Sequence, residues 1–260
     1  MKTVRKKWYQ FLRYQDYALG VWSCRAMQIR GFADSPIHPK HLFDEKRSDF
    51  LHGLFEAGMA FLDLGSGVGT DCIIAGEHRA KISVGLEKNW ASIRTATERN
   101  REKDCGACFI QSDLEQGGLP FVDHSFDLIN FSNVLEHLHN RKRILQELKR
   151  IKKTHGVIVI SIPNSETSWK KKLRSAGLDS MDDPDHKIEY SKESLADELR
   201  AADLEIVSDL MPIIPSFPYN GLIAMSAALS PKLYKRLQEK KRLYVENNPD
   251  ESIGWVFVAT

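Results

Sequence analysis

Between Met59 and Ile162, short apolar runs alternate with longer amphipathic segments, and this alternation constrains the fold more than any other feature of the chain. The runs MAFLDL, KISVGLE, ACFIQSD, FDLINFS and GVIVISIP are rich in β-branched and aromatic residues and too short to be helices. Strands joined through helical crossovers pair in parallel, so the pattern predicts an α/β fold with a doubly wound, mostly parallel sheet. Before the last run, Asn140 stands as an N-cap, and Ile144, Leu145, Leu148 and Ile151 share one helical face, which predicts a helix continuing to Gly156. A second helix is predicted from Ser191, burying Leu195, Leu199 and Ala202, with LEIVSDL as a further strand.

The ends differ from this middle. Residues 1–58 are rich in aromatic and basic side chains, and a break at Ser35-Pro36-Ile37-His38-Pro39 separates a first helix from a second, around His41 to Glu56. We read 1–58 as an N-terminal helical appendage or lid. Residues 59–260 form the main domain, with an insertion at 211–250 before the final strand SIGWVFVAT. Within that insertion Pro231 opens a helix whose apolar face is Leu233, Leu237 and Tyr244.

With 260 residues, 42% apolar and 28% charged, the chain can bury a core without disulfides, which excludes collagen-like, disordered and disulfide-scaffold classes. Its four cysteines (Cys24, Cys72, Cys105, Cys108) form no disulfide framework, and the basic start MKTVRKK leads into no apolar leader core, so a cytoplasmic location is expected. The uncharged stretch 211–231 carries four prolines and is not read as a membrane span. A formal charge of +2 conceals three basic clusters: Lys2, Arg5, Lys6, Lys7 and Arg13; Lys170, Lys171, Lys172 and Arg174; and Lys232, Lys235, Arg236, Lys240, Lys241 and Arg242. Solvated helix faces account for such clusters in general; an anionic acceptor, peripheral contact with a membrane, or nucleic acid would also suit them.

The chemistry concentrates in FLDLGSGVGT, residues 61–70. An apolar strand ending in Asp63 runs into Gly65, Gly67 and Gly69, which permit positive φ and let a ligand approach the backbone at a helix N-terminus. The spacing is G-x-G-x-G, whereas the dinucleotide fingerprint is G-x-G-x-x-G. The next strand ends in Glu87, placed about 20 residues on to accept hydrogen bonds from ribose hydroxyls. One strand later, Asp113 can accept from an exocyclic adenine amine and Leu114 can cover the ring.

These motifs, in this order from Phe61 to Pro163, resemble class I S-adenosylmethionine-dependent methyltransferases, and LPFVDHSFDLINFSNVLEHL is similar to the corresponding segment of the ubiquinone and menaquinone methylase type. The resemblance implies a Rossmann-like, seven-stranded sheet with an antiparallel last strand and S-adenosyl-L-methionine as cofactor. Asp63, Gly65, Ser66, Gly67 and Gly69 would hold the methionine moiety, Glu87 the ribose, Asp113 and Leu114 the adenine, and Ser132 would lie beside the sulfonium. It also implies direct in-line methyl transfer to a small-molecule or lipid-like acceptor, with no metal required. Asp185-His186-Lys187-Ile188-Glu189-Tyr190 looks like the D-x-x-H segment of many small-molecule methyltransferases, with either Asp183 or Asp185 as the acid. His186 would then face the acceptor as its catalytic residue, or else order the loop.

Other readings stay open: an RNA or protein methyltransferase, a noncatalytic Rossmann-like subunit, and a nicotinamide-dependent oxidoreductase. The [DN]-P-P-[YF] tetrapeptide of amino-group methylases is replaced by Asn130-Phe131-Ser132-Asn133. Cys105 and Cys108 precede a strand and lack a second pair, so they are not read as a zinc or redox site. His38 and His41 read as surface-loop residues, and His137 as a first-turn residue beside the crevice.

Overall fold

The computed structural model describes residues 2–32, 36, 38–43, 49–210 and 220–260. The chain divides into two compact units, each built from three separate segments. The first comprises Phe50–Pro163, Asp183–Met211 and Trp255–Thr260; the second comprises Met1–Asp49, Asn164–Asp182 and Pro212–Gly254.

The first unit is the sheet. Its strands are β1 (Ala60–Leu64), β2 (Ile82–Glu87), β3 (Cys108–Gln111), β4 (Phe126–Ser132), β5 (Lys152–Pro163), β6 (Ile206–Leu210) and β7 (Gly254–Ala259), in the spatial order β3-β2-β1-β4-β5-β7-β6. The β1–β2, β2–β3, β1–β4 and β4–β5 pairs are parallel, and β7 runs antiparallel to β6. Every residue of β1 is buried, as a central strand covered on both faces requires. The order reverses at β1: β2 and β3 lie on one side of it and β4 and β5 on the other. A crevice for ligands belongs at the carboxyl ends of the strands flanking such a switch point.

The crossovers are helices α4 (Thr70–Glu77), α5 (Trp90–Lys103), α6 (Arg141–Ile151) and α8 (Lys192–Arg200), and α7 (Ser168–Ser175) lies between α6 and α8; the helices that precede them in the chain are described below. Asn89 caps α5 by accepting from Ala91 and Ser92 N–H, and Ser191 forms a capping box with Ser194 at α8. As expected, α6 buries Ile144, Leu145, Leu148 and Ile151, and α8 buries Leu195 and Leu199. Two local expectations need correction. Helix α6 stops at Ile151, not Gly156, because Lys152 already pairs with Phe126 as the start of β5. Asn140 holds the N-cap position but makes no cap; its Nδ2 donates instead to the Leu114 carbonyl at 2.8 Å.

The second unit is helical. Helix α1 spans Lys2–Ile29, and within the expected second helix around His41 to Glu56 the described residues form α2 (Lys40–Phe43) and α3 (Asp49–His52), the latter at the boundary of the units, with 44–48 outside the described residues. Helices α9 (Asn220–Leu229) and α10 (Pro231–Asn247) follow the residues 211–219, where part of the expected uncharged lining segment lies outside the described residues. Asp16 of α1 accepts from the Gly221 N–H at 2.7 Å, and the two helices approach so closely that a Cβ on Gly221 would meet the Asp16 carbonyl at 2.4 Å. The apolar face expected on α10 is rotated: Tyr234, Gln238 and Val245 are buried, whereas Leu233 and Tyr244 are 41% and 51% exposed. Lys170, from the second basic cluster, is buried and paired with Asp182 at 2.8 Å, and Arg174 pairs with Glu166 at 3.1 Å. Among the described residues no helix is long and apolar enough to cross a membrane.

Gly76, within α4, shows how tightly the first unit is packed, since a Cβ there would sit 2.2 Å from the Cys105 carbonyl oxygen. In an exposed helix Gly→Ala stabilises by about 1 kcal/mol. Here the contact with backbone reverses the sign, and Gly76→Ala is expected to destabilise by about 1–3 kcal/mol. Urea denaturation of the two proteins checks this; an unchanged or raised midpoint contradicts it.

Candidate active site at the carboxyl ends of the strands

The expected site residues come together because they end neighbouring strands. Asp63 pairs in register with Gly85 of β2 and Asn130 of β4, and Glu87 with Gln111 of β3. The turn after β1 folds back on β2 through Gly65 and Ser66 N–H, both donating to the Leu86 carbonyl, at 2.8 and 3.0 Å. Gly65, Gly67 and Gly69 have φ of 75°, 53° and 73°, the left-handed region closed to most side chains. Their surroundings differ. A Cβ on Gly65 would collide with Val134 at 2.7 Å and one on Gly69 with Phe109 at 2.4 Å, whereas one on Gly67 would meet nothing within 4 Å. Gly65 and Gly69 are therefore required by packing, and Gly67 presents its bare backbone outward.

Glu87 ties this loop to the end of β2. Its Oε2 accepts from Gly67 N–H at 2.9 Å and its Oε1 from Asn89 N–H at 2.7 Å. A carboxylate has about four lone-pair positions, so two remain for a ligand's hydroxyls. Asp113 accepts from Glu115 N–H at 3.1 Å and Gln116 Nε2 at 3.3 Å, with Lys88 at 3.3 Å; the backbone bond from Glu115 is the main reason its carboxyl is held below the usual range. Leu114 packs partly buried against the main core. The Ser66 side chain turns onto β2, where its Oγ occupies the notch left by Gly85 and is buried without a hydrogen-bond partner.

Asp63 is buried, and its Oδ1 accepts from Asn130 Nδ2 at 2.8 Å; Asn130 Oδ1 in turn accepts from Ser132 Oγ at 2.6 Å. Burial, then the charge of Asp71, pushes the Asp63 carboxyl well above its ordinary range, against the opposing bond from Asn130. Asp71 itself bonds His52 Nε2 at 2.9 Å. Neither Asn130 nor Asp71 was singled out from the sequence. The signal for Asn130 is a polar residue at an inward position of a buried strand, which needs a polar partner.

Beyond Ser132 the chain turns through Asn133, at φ 54°, into a short helical turn over Leu135–His137. The segment after residue 183 is stitched to it: Lys187 and Ile188 N–H donate to the Glu136 carbonyl at 2.7 and 3.4 Å. His186, expected to face an acceptor, is 9% exposed, and its Nδ1 lies 3.0 Å from Glu189 Oε1. Its ring meets that of His137 edge-on at 4.7 Å. Asp183 orders the turn, accepting from Asp185 N–H through its carboxylate and from His186 N–H through its carbonyl. Glu136 is fully buried; neither carboxylate oxygen has a hydrogen-bond partner, the residue's own N–H standing nearby outside bonding geometry. Burial, with Glu189 and Asp183 adding repulsion, pushes its carboxyl up to about 8. Burial also lowers the His137 imidazole, with His186 contributing. A separate cavity of about 480 Å³ opens near Ala57, Gly58, Asp127, Lys153 and His155, at the opposite ends of the strands, where Asp127 already holds Lys153 at 2.7 Å.

A reversed sheet with an antiparallel seventh strand and a glycine loop at its switch point defines a Rossmann-like methyltransferase fold. The chain belongs to the methyltransferase domain family, whose pattern it matches over residues 55–241. It is 26% identical over 157 residues to a Mycolicibacterium smegmatis protein named probable S-adenosylmethionine-dependent methyltransferase, covering 59% of this chain and 55% of that one. It is 38% identical over 55 residues to an uncharacterized protein of Methanocaldococcus jannaschii, covering 21% of this chain and 24% of that one. The chain thus spans about half and about a quarter of the lengths of these two relatives. An S-adenosylmethionine-dependent methyltransferase from Mesorhizobium loti shares the fold, with a TM-score of 0.56 at 18% identity over 84% of this chain and 99% of that structure.

A buried Glu136 carries a testable consequence. Its carboxyl shifts from an ordinary value of 4.5 to about 8 on folding, so the fold favours the protonated form, and that stabilisation is lost as pH rises through about 8. In chelator-containing buffer, Glu136→Gln should gain stability over the wild type progressively between about pH 5 and pH 8. Parallel pH profiles of the two urea midpoints contradict this.

Proposed function

We propose that the protein is an S-adenosylmethionine-dependent methyltransferase acting on a small, apolar or amphiphilic acceptor. The observation that carries this reading is the convergence at one switch point of the open Gly67 backbone, the Glu87 carboxylate, Asp113 with Leu114, and the Ser132–Asn130–Asp63 chain.

These residues suit the cofactor. The loop Gly65–Gly69, with Asp63 behind it and Ser66 fixing its fold on Gly85, would hold the methionine end, and acids around it suit a cationic group. Glu87 has lone pairs left for two ribose hydroxyls, and its bond to Gly67 N–H couples ribose binding to the shape of the loop. Asp113 would take the adenine amine and Leu114 the ring face. S-Adenosylmethionine, when bound, supplies a methyl group on a sulfonium, an electrophile that needs no further activation. The protein's task is then to orient an acceptor in line and keep water out, which can supply roughly 7–11 kcal/mol of the barrier. Ser132 and the His137–His186 pair would stand beside the acceptor.

For the acceptor, the support is compositional. Helix α1 exposes Trp8, Phe11 and Trp22 at 55%, 50% and 59%, among Arg5, Lys6, Lys7 and Arg13. Aromatic and basic side chains on one helix suit an amphiphile at an anionic lipid surface. Chain 211–231 adds an uncharged, proline-rich stretch.

Calorimetry with S-adenosylhomocysteine tests the cofactor site: Glu87→Ala should lose binding, and Gly67→Ala should weaken it at least about 10-fold through strain at positive φ and the added methyl. Wild-type affinity in both variants would remove these residues from the site. Methyl transfer from radiolabelled S-adenosylmethionine into a cell extract tests the acceptor. Label is expected in the organic phase, and label confined to RNA or protein would overturn the acceptor class. His186→Ala should lower kcat by about 10²-fold or more with unchanged S-adenosylhomocysteine affinity.

A further inference from the structure

Three side chains past the end of β4 form an arrangement of which the methyl-transfer reading uses only the two histidine rings. One carboxylate oxygen of Glu136 and one ring nitrogen each from His137 and His186 lie within 4.8 Å of one another. The Glu136 side chain is fully buried with both oxygens unpartnered. A buried carboxyl without hydrogen-bond partners is costly, so it calls for a positive or donating group that no hydrogen bond of the chain supplies. The neighbouring charges that act on it, Glu189 and Asp183, are acids and make the deficit larger.

The outer side of the His186 ring is already engaged. His186 Nδ1 lies 3.0 Å from Glu189 Oε1, a carboxylate itself only 4% exposed, which leaves Nε2 as the donor atom. The Asp185 backbone carbonyl lies near the His137 ring and favours its protonated form. A histidine held from behind by a carboxylate or a carbonyl is the usual arrangement of a metal ligand, because the outer bond fixes the tautomer and aims the other nitrogen. The supporting segments are also fixed, since Lys187 and Ile188 N–H bond the Glu136 carbonyl and draw His186 onto the turn that carries Glu136 and His137.

We propose that Glu136, His137 and His186 form a binding site for a divalent first-row transition cation of the zinc type, with Glu189 orienting His186. Two imidazoles and one carboxylate select such ions over magnesium and calcium, which prefer sets composed of oxygen. Ligand atoms around zinc stand about 3.4 Å apart at bonds of about 2.0–2.1 Å, so the widest pair must close by roughly 1.5 Å, within reach of side-chain rotation. Three protein ligands leave at least one position open. On the methyltransferase reading above, that position would hold an oxygen of the acceptor, four residues from Ser132; binding of the ion itself does not depend on that reading.

The test uses the full-length protein after chelation, titrated calorimetrically with Zn2+ alone and, separately, with Mg2+, without cofactor or acceptor. One Zn2+ per chain is expected and no heat from Mg2+. Glu136→Gln should abolish the binding, and Glu189→Gln should weaken it by about 10–100-fold as an orienting residue. Both variants are checked for folding by circular dichroism and for S-adenosylhomocysteine affinity, so that loss of the metal site and failure of the cofactor site are read separately. Co2+ substitution should give visible bands without thiolate charge transfer, which separates this site from Cys105 and Cys108. Binding equal in wild type and Glu136→Gln, a thiolate spectrum, or no Zn2+ binding by folded wild type would each overturn the proposal.

Discussion

One hydrogen bond inside the sheet, from Asn130 of β4 to the carboxyl of Asp63 in β1, sets the terms for the rest of the site. An acid in a strand buried along its whole length is costly unless it is partnered or protonated, and Asp63 meets both conditions in part: Asn130 donates to it, and burial shifts it toward the neutral form. The bond also joins the two strands flanking the point where the sheet changes direction. The floor of the crevice is therefore fixed by polar contact as well as by packing, and Ser132, bonded to the same Asn130, is aimed by it.

From that floor the site is built outward through backbone. Glu87 holds Gly67 and Asn89 at once, so the end of β2, the glycine loop and the start of α5 are tied together through one side chain. This explains why three glycines so close together have different reasons to be glycine. Two are packed against Val134 and Phe109, and the middle one faces outward. A turn made of glycine for flexibility alone would not show this division.

Much of this was legible in the chain itself, since strand ends in a doubly wound sheet converge whatever the side chains are. The runs from MAFLDL to GVIVISIP fixed which ends those would be, and Asp63, Glu87 and Asp113 follow from them. What escaped was set by contacts between distant segments. The face of α10 was misjudged because apolar counting passes over Gln238, which is buried beside the Tyr234 hydroxyl that it bonds. The end of α6 was misjudged because pairing with Phe126 overrides helical periodicity at Lys152. The Glu136–His137–His186–Glu189 cluster joins residues about fifty positions apart through two backbone bonds, and no spacing rule reaches across that gap.

The interleaving of the two units has a consequence for how the chain is made. Each is assembled from three segments, and the helical unit draws on residues at the start, the middle and near the end of the sequence. Neither can be expressed as a continuous fragment, and a nascent chain holding β1 to β5 still lacks β6 and β7 on the exposed side of β5. Until those strands arrive, β5 presents an open edge of apolar residues, so the growing protein is most exposed to misassembly after the strands around the switch point have already been made.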